Sequence, residues 1–248
     1  MLADRIAVVT GAGQGNGAAI AKGLAAAGAG VVAVDVNAEP ASATAEAIRQ
    51  AGGQAWWFQL DVTDEAGCHA VAGEVAREIG DASIVVNNAG ICPRHTIDDP
   101  GLRAMWNAAL DVNLTGTLNV SLAFLPQLRK TRGAIVNIAS IASFLSTSTS
   151  VGYTASKAGV RMLTLNLAQE LAKDGIRVNA IAPGAMATPM TEATRNDPAR
   201  LKSFLGRIPL GRMGEPEELV GPAVFLASPM SSYVTGTVLV VDGGYMAL

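Results

Sequence analysis

Short apolar runs rich in β-branched residues alternate along the chain with longer, alanine-rich segments. The apolar runs predict strands at 5–10, 30–36, 54–61, 83–87, 133–140, 176–182 and 237–243. The segments between them carry apolar residues at helical intervals, and most of them end in glycine, a common residue just after the last helical turn. Strands and helices that alternate in this way form βαβ units with right-handed crossovers. The pattern therefore predicts an α/β fold with a parallel sheet.

The composition refines this fold prediction. Hydrophobic residues make up 50% of the chain but aromatic residues only 4%, so the core is built largely from Ala, Val, Leu and Ile. Such a core suits a sheet that helices cover on both faces. We predict a single-domain, Rossmann-type, doubly wound parallel sheet of about seven strands flanked by helices, covering residues 1–248. The segment at about 184–214 has weak periodicity and several prolines and glycines, and we expect it to form a substrate lid.

Charge and apolar content exclude several classes of protein. Charged residues make up 16% of the chain and the net charge is −3, without the basic surplus of a nucleic-acid binder. The longest strongly apolar stretch, 24–34, is shorter than the roughly 20 residues that span a bilayer, and the first residues leave no room for a signal peptide. Cys68 and Cys92 give neither a disulfide framework nor metal-ligand spacing. We expect a cytoplasmic protein that binds no structural metal, nucleic acid or membrane.

A glycine-rich turn, TGAGQGNG at residues 10–17, lies between the first predicted strand and the first predicted helix. Backbone N–H groups at a helix N-terminus, together with the helix dipole, favour a pyrophosphate. The spacing fits two dinucleotide-binding patterns, one on Gly13, Gly15 and Ala18 and the other on Thr10, Gly11, Gly15 and Gly17. Tight turns alone would also use these glycines, so the turn needs support from the rest of the chain.

Asp35 provides that support. It ends the second predicted strand, about 20 residues after Gly15, where an acidic side chain accepts hydrogen bonds from the adenosine ribose hydroxyls and repels a 2′-phosphate. The neighbouring positions where a cation would receive that phosphate hold the neutral residues Gln14 and Val36. The pattern therefore predicts NAD rather than NADP as the cofactor.

A second cluster of polar residues, YTASK at 153–157, indicates acid–base chemistry. On a helix, Tyr153 and Lys157 are four residues apart and share a face. An ammonium group beside a tyrosine stabilises the phenolate and brings the tyrosine pKa from about 10 toward neutrality. Ser140 ends the buried run VNIAS, where such a fold presents polar groups to a ligand. The Tyr-x-x-x-Lys spacing by itself is common on helix faces.

Taken together, the motifs resemble those of the short, single-domain branch of the short-chain dehydrogenase/reductase family. The resemblance rests on TGAGQGNG, NNAG at 87–90, Ser140, YTASK, PG at 183–184 and YVTGTVLVVDGG at 233–244, in this order and spacing. It covers essentially the whole chain.

The resemblance implies roles for individual residues. Tyr153 would be the catalytic base in alcohol oxidation and the acid in ketone reduction, and Lys157 would lower its pKa and hold the nicotinamide ribose. Ser140 would hydrogen-bond the reacting oxygen, and Asn113 would support a proton-relay water. The implied cofactor-binding residues are Gly11, Gln14, Gly15, Asn16, Gly17, Asp35, Asp61, Val62, Asn88, Gly90, Tyr153, Lys157, Pro183, Gly184, Met186 and Thr188. Asn16 and Met186 depart from the family, which more often has an aliphatic side chain at these positions.

We therefore predict an NAD-dependent oxidoreductase that interconverts a secondary alcohol (a polyol, a sugar or a related hydroxy compound) and its ketone. Arg94 and His95 are either contacts for an acidic or polyhydroxylated substrate or solvated loop residues, and the Ser/Thr run 146–150 is either a polyol contact or a polar loop. One alternative is a 3-oxoacyl thioester (acyl-carrier-protein) reductase, although many of these carry a cation near the glycine turn. Others are an epimerase or dehydratase of a longer branch and a non-catalytic NAD-binding sensor. The resemblance also implies a homotetramer.

Overall fold

A seven-stranded parallel sheet forms the centre of the molecule in the computed structural model, which describes residues 1–147 and 149–247. The spatial strand order is β3-β2-β1-β4-β5-β6-β7, and every neighbouring pair is parallel. The strands are β1 Ile6–Thr10, β2 Gly30–Asp35, β3 Ala55–Gln59, β4 Ile84–Asn87, β5 Ala134–Ile138, β6 Arg177–Pro183 and β7 Val238–Val241. The predicted fold class is confirmed, and each predicted strand overlaps an observed one.

Helices cover both faces of this sheet. The α-helices are α1 Gly15–Ala26, α2 Ala38–Gln50, α3 Glu65–Glu78, α4 Leu102–Leu110, α5 Gly116–Thr131, α6 Val151–Leu171, α7 Glu192–Arg195, α8 Pro198–Leu205 and α9 Val220–Ala227. A π-helical turn, Asp111–Thr115, joins α4 to α5 without a break. Helix α6 begins after Ser150, whose Oγ accepts a hydrogen bond from the Tyr153 N–H at 3.3 Å. This cap places Tyr153 in the first turn of α6.

Two apolar layers hold the helices against the sheet. Side chains alternate along a strand, so Ala7 and Val9 of β1 pack with α1, α2 and α9, whereas Val8 packs with α3, α5 and α6. Because both faces are buried, the strands are nearly continuous apolar runs. Each fully buried Val, Leu or Ile contributes about 1.5–3 kcal/mol relative to an exposed one. The sheet is thus a rigid support for the loops that leave the carboxyl ends of its strands.

The order of the strands determines where a ligand can bind. After β1 the chain runs through α1 to β2 on one side, whereas β4 pairs with β1 on the other side. Loops that leave the carboxyl ends of β1 and β4 therefore diverge and open a crevice, the usual ligand site of doubly wound sheets. The glycine turn follows β1 and the NNAG motif overlaps the end of β4, so both lie at this crevice.

The segment 184–214 is more regular than its weak periodicity predicts. It contains α7, α8 and a 3₁₀ turn at Pro189–Thr191. Helix α8 is capped by Asp197, whose carboxylate accepts hydrogen bonds from two backbone N–H groups at 3.0 and 3.1 Å. A bridge between Met186 and Gly214 closes the base of the segment. The prolines and glycines that obscured the periodicity lie at its helix starts and turns.

One helical stretch, Leu102–Thr131, spans 30 residues and is long and apolar enough to cross a membrane by length and composition. Half of its most apolar part is buried, and Gln127 is buried with hydrogen bonds to Ala72 and Ala82, so we interpret the stretch as a core helix.

Ser148, in the Ser/Thr run 146–150 whose role the sequence left open, lies outside the described residues.

Candidate active site

A cleft of about 440 Å³ opens at the carboxyl ends of the strands. It is lined by nearly all the residues that the sequence analysis selected: Gly11, Gln14, Gly15, Asn16, Asp35, Asp61, Val62, Asn88, Gly90, Ser140, Tyr153, Lys157, Pro183, Gly184, Met186 and Thr188. Motifs that are far apart in the chain thus meet in one cavity. Among the selected residues, Gly17 and Asn113 lie behind the wall of the cleft.

The glycine turn forms the floor of the cleft beside β1. Gly11 and Gly15 have positive φ angles of +61° and +53°, which glycine adopts without strain. A Cβ on Gly11 would lie 2.9 Å from the Ala89 Cα, so a side chain there would also clash with the NNAG segment. Gly17 is buried, and a Cβ on it would collide with the Gly11 carbonyl and the Asn88 amide. The structure thus places Gly17 in the packing of α1 under the turn and not at the predicted ligand surface.

Asp35 is fixed at the opposite side of the glycine turn. Its Oδ2 accepts a hydrogen bond from the Gly13 N–H and its Oδ1 accepts one from the Asn37 N–H, both at 3.0 Å. The side chain of Asp35 also lines the cleft. Within the described part of the chain, Lys157 is the one Lys or Arg residue that lines the cleft, so no cation faces Asp35 there.

Tyr153, Lys157 and Ser140 meet at the far end of the cleft. Lys157 is 5% exposed, and its Nζ donates a hydrogen bond to the Ile138 carbonyl at 2.7 Å. The same Nζ lies 5.9 Å from the centroid of the Tyr153 ring. Ser140 is buried where β5 ends, and its Oγ accepts a hydrogen bond from the Ala142 N–H at 3.1 Å. The predicted proximity of these side chains is present in the structure.

Burial sets the protonation states of this cluster. It raises the pKa of Tyr153 to about 12, although a hydrogen bond with the Ser140 side chain lowers it. Burial also lowers the pKa of Lys157 to about 8. Loss of solvation is the largest effect on both groups and disfavours the phenolate and the ammonium alike. The expected lowering of the tyrosine pKa by Lys157 stays a prediction.

The lowered pKa of Lys157 predicts a pH dependence of stability. Between pH 8 and 10.5 the unfolded chain holds a proton on this lysine that the folded chain has lost, so the free energy of unfolding rises with pH in this range. Relative to a Lys157→Met variant, the wild type should gain about 3 kcal/mol across it. Urea unfolding of both proteins at several pH values measures the difference, with the exposed Lys22→Met as the matched control. A difference that stays constant with pH would contradict the assignment.

Asn113 connects the NNAG segment to the catalytic helix from behind. It is fully buried in the π-helical turn, and its Nδ2 donates hydrogen bonds to the Ile91 carbonyl at 3.0 Å and to Ser156 Oγ at 2.9 Å. Its Oδ1 accepts a hydrogen bond from the Ile91 N–H at 2.8 Å, and Ser156 Oγ donates to the Tyr153 carbonyl at 2.8 Å. These partners satisfy the amide, so its role in holding a relay water stays a prediction.

A chain of buried hydrogen bonds continues from Asn113 through the sheet and returns to α6. Each link is between 2.7 and 2.9 Å long. Its members are all buried polar residues: Asn113, Thr117, Ser121, Asn87, Asn137 and Thr164. Buried networks of this kind fix the relative positions of the elements they join, although the Oδ1 of Asn87 has no partner among the described groups. The network anchors α6, and with it Tyr153 and Lys157, to β4, β5 and α5.

Sequence reasoning missed part of the apolar cleft wall. Val112, Ile138 and Ala139 also line the cavity. Each lies within a few residues of a recognised motif, which was the available signal. The spacing of a motif does not say which of its apolar neighbours turn toward the cavity, because that depends on the strand ends and on the 3₁₀ turn.

The sequence left open whether Arg94 contacts the substrate or is a solvated loop residue. In the structure it lies between the NNAG segment and the proposed lid. Its Nη2 donates a hydrogen bond to Thr194 Oγ1 in α7 at 3.0 Å. Burial, the largest effect, raises the pKa of Cys92, whereas the charges of Arg94 and Lys157 lower it. Both cations therefore lie close enough to act on the Cys92 thiol. Arg94 makes no ion pair with a described carboxylate within 4.0 Å.

Comparison with known proteins gives matches along the whole chain. The family model described as enoyl-(acyl carrier protein) reductase matches residues 11–246. The cis-4-hydroxycyclohexanecarboxylate dehydrogenase of Sinomonas cyclohexanicum is 43% identical over 99% of this chain and 98% of its own length. The 3-oxoacyl-[acyl-carrier-protein] reductase of Thermotoga maritima is 44% identical over 75% of each chain.

The fold also matches solved structures closely. A gluconate 5-dehydrogenase from Burkholderia cenocepacia, crystallised in complex with NADP and tartrate, superposes with a TM-score of 0.95. It is 39% identical, and the match covers 100% of this chain and 97% of that one. At this level of identity and coverage, the sheet and the helices belong to a shared architecture.

Proposed function

The chain belongs to the short-chain dehydrogenase/reductase family and is an oxidoreductase acting on CH–OH groups, and we propose that it oxidises the secondary alcohol of a hydroxy acid with NAD. One observation carries the proposal. Ser140, Tyr153 and Lys157 lie at one end of a cleft whose other end holds the glycine turn and Asp35.

The residues of the cleft fit a nicotinamide dinucleotide. Gly11 and Gly15 give a bare backbone that a phosphate can approach, and a Cβ on Gly90 would lie 3.1 Å from Asn113 Oδ1 and 3.4 Å from Lys157 Nζ. Asp35 would hold the adenosine ribose and Asp61 and Val62 the adenine. Pro183, Gly184 and Thr188 would border the nicotinamide. When bound, the cofactor accepts the hydride of the alcohol carbon.

The charges of the cleft favour NAD over NADP. A 2′-phosphate on the adenosine ribose would face the Asp35 carboxylate, which two backbone N–H groups hold in place. NADP enzymes of similar fold place an arginine near this phosphate, whereas Gln14 and Val36 are neutral. A carboxylate at this position can accept hydrogen bonds from the two free hydroxyls of the adenosine ribose in NAD.

The catalytic end of the cleft handles the proton. Tyr153 would take the hydroxyl proton of the alcohol during oxidation and return it to the ketone during reduction. Ser140 would donate a hydrogen bond to the reacting oxygen and hold it beside the tyrosine. Lys157, fixed by the Ile138 carbonyl, would support the phenolate as it forms and hold the nicotinamide ribose. The buried network behind α6 holds these groups in fixed relative positions, which acid–base catalysis requires.

A carboxylate on the substrate is supported by the charge of Arg94, which follows the cleft-lining residue Ile91 by three positions. Arg94 has no described carboxylate partner, and its Nη2 binds the lid hydroxyl of Thr194. A guanidinium is well suited to a carboxylate because it can donate two parallel hydrogen bonds. The Sinomonas relative acts on a hydroxycyclohexanecarboxylate, as its name states. We therefore assign the substrate to the hydroxy acids, with 184–214 acting as the lid.

A 3-oxoacyl-[acyl-carrier-protein] reductase is the second candidate. It is favoured by the Thermotoga relative, at 44% identity, and its chemistry needs the same Tyr153, Lys157 and Ser140. The neutral residue Gln14 beside the glycine turn and the carboxylate of Asp35 favour NAD, so a thioester reductase that uses NADPH fits the cleft less well. A non-catalytic NAD sensor would not need this acid–base cluster.

A substrate panel tests the proposal. Purified protein and NAD or NADP are mixed with gluconate and 4-hydroxycyclohexanecarboxylate, each beside its uncharged carboxamide, and formation of NADH or NADPH is followed by absorbance. We expect turnover with NAD, and kcat/KM at least about tenfold higher for the acids than for the amides, because an ion pair with Arg94 is lost. Acetoacetyl-CoA with NADH or NADPH is run as the reductive arm.

The outcomes separate the candidates. Equal rates for acid and amide would contradict the hydroxy-acid assignment. If no alcohol is oxidised but the thioester is reduced rapidly, the second candidate replaces the proposal.

The homotetramer stays a prediction. Three exposed apolar side chains, Leu122 on α5 and Val151 and Met162 on α6, would be covered by an interface between copies.

A further inference from the structure

Asn119, a buried residue of α5, holds a backbone group of the cleft wall. Its Nδ2 donates a hydrogen bond to the Val62 carbonyl at 3.0 Å, which joins α5 to the loop after β3. Val62 is itself buried and lines the cleft, whereas Asn119 does not reach the cleft surface. The proton-transfer chemistry above gives Asn119 no role, so this contact needs a separate explanation.

The peptide group between Val62 and Thr63 is held at both of its ends. Its carbonyl accepts the hydrogen bond from Asn119, and its N–H donates to Asp61 Oδ1 at 2.9 Å. The Thr63 hydroxyl donates to the same carboxylate oxygen at 2.8 Å. Because a peptide group is planar, a rotation that moves the carbonyl away from Asn119 also moves the N–H away from Asp61. Asn119 therefore acts on two cleft-lining residues, Val62 directly and Asp61 through the peptide group.

Gly116 gives Val62 the space to lie against α5. It precedes Asn119 by three residues, so the two share a face of the helix. A Cβ on Gly116 would lie 2.5 Å from Val62 Cγ2 and 3.3 Å from the Val62 carbonyl oxygen. The thiol of Cys68, a weak donor, lies 3.7 Å from the same oxygen. Helix α5 thus supplies both the strong hydrogen bond and the open space that determine the position of Val62.

The loop that Asn119 holds lies beside Asp35. The Leu60 N–H donates a hydrogen bond to the Asp35 carbonyl at 2.9 Å, and Asp35 is paired with the last residue of β3. A base attached to a ribose at Asp35 therefore has Asp61 and Val62 as its neighbouring wall. We propose that Asn119 is a positioning residue for the adenosine half of the cofactor, which it affects without touching it. This inference rests on the proposed nicotinamide cofactor.

The expected consequence is a loss of affinity confined to the adenosine half. Without the Asn119 amide, the Val62 carbonyl loses its buried donor, and the peptide group that orients Asp61 can rotate. Part of the binding free energy is then used to order this wall again, as it is whenever a site is not preorganised. The catalytic cluster lies at the other end of the cleft and should keep its geometry.

Binding measurements test the inference without turnover. Dissociation constants of NADH and of ADP-ribose, which has the adenosine half but lacks the nicotinamide, are measured by calorimetry. Asn119→Leu should raise both constants by the same factor, about fivefold, because one hydrogen bond to the wall is lost. With an alcohol that the substrate panel identifies, the KM for NAD should rise while kcat stays within about twofold of the wild type.

Gln127→Leu is the matched control for a purely structural effect. Gln127 is also a buried amide of α5, and its Nε2 donates to the Ala72 carbonyl at 2.8 Å, away from the cleft. Both variants lose a buried hydrogen bond, so both should lower the Tm by about 2–4 °C. ADP-ribose affinity should fall in Asn119→Leu alone.

Gly116→Ala tests the same wall without removing a polar group. Alanine favours a helix over glycine, so this variant should fold even if Asn119→Leu does not. Its Cβ must displace the Val62 side chain, and we expect ADP-ribose to bind about threefold more weakly. ADP-ribose affinity equal to that of the wild type would contradict the role of Val62.

The inference and the proposed function fail in different ways. Unchanged ADP-ribose affinity in Asn119→Leu would overturn the inference, and so would an equal loss in Gln127→Leu, which would indicate a general loosening of α5. Weaker binding of NADH without weaker binding of ADP-ribose would place the effect at the nicotinamide end and would also overturn it. If the wild type binds neither NADH nor NADPH, the proposed function itself fails, and the inference fails with it.

Discussion

Tyr153→Phe should lower kcat/KM by about 10²- to 10⁴-fold, the usual contribution of a general acid–base group. The change removes one oxygen and leaves the ring that packs beside Lys157. Without the hydroxyl, the cluster loses the group proposed to take the proton from the alcohol. The Ser140 hydroxyl is a far weaker acid than a phenol, and Lys157 is held by the Ile138 carbonyl.

The measurement separates chemistry from binding. Steady-state oxidation of a hydroxy acid gives the loss in kcat/KM, and calorimetric titration with NADH should give a dissociation constant close to that of the wild type. Tyr233→Phe is a matched control, because Tyr233 is fully exposed on the surface. Undiminished turnover by Tyr153→Phe would remove this tyrosine from the mechanism. Loss of NADH binding would show that its main role is to hold the cofactor.

Asp35→Asn should shift cofactor preference toward NADP by on the order of 100-fold in the ratio of kcat/KM values. Like charges held face to face cost several kcal/mol, and each 1.4 kcal/mol is a factor of ten. Asparagine keeps an oxygen that can accept from the Gly13 or Asn37 N–H, so the turn should survive the loss of charge.

Parallel kinetics with NAD and NADP at one fixed ionic strength measure this ratio. Glu39→Gln is the control, since it removes one exposed negative charge from the start of α2 without touching the cleft wall. An unchanged ratio in Asp35→Asn would mean that the carboxylate does not face the ribose. A similar shift in Glu39→Gln would attribute the effect to net charge and not to the position of Asp35.

Much of the fold and of the site could be predicted from the sequence, because the signals involved are local. An apolar run of β-branched residues reports a strand buried on both faces, and the glycines report a turn where a side chain would clash. The structure bears this out at Gly11, where a Cβ would meet the Ala89 backbone. The i, i+4 spacing of Tyr153 and Lys157 fixed their common face before any tertiary contact was known.

Other properties were decided only by tertiary structure, since they depend on groups far apart in the chain. Burial raises the pKa of Tyr153 to about 12, an effect that the spacing of Tyr153 and Lys157 along the helix does not show. Gly17, which the sequence analysis assigned to the ligand surface, is buried against Gly11 and Asn88. The network through Asn87 and Asn137 joins α6 to β4 and β5, and the unpaired Oδ1 of Asn16 is visible only once its surroundings are known. Solvation and hydrogen-bond satisfaction are properties of packed surroundings, which no spacing along the chain encodes.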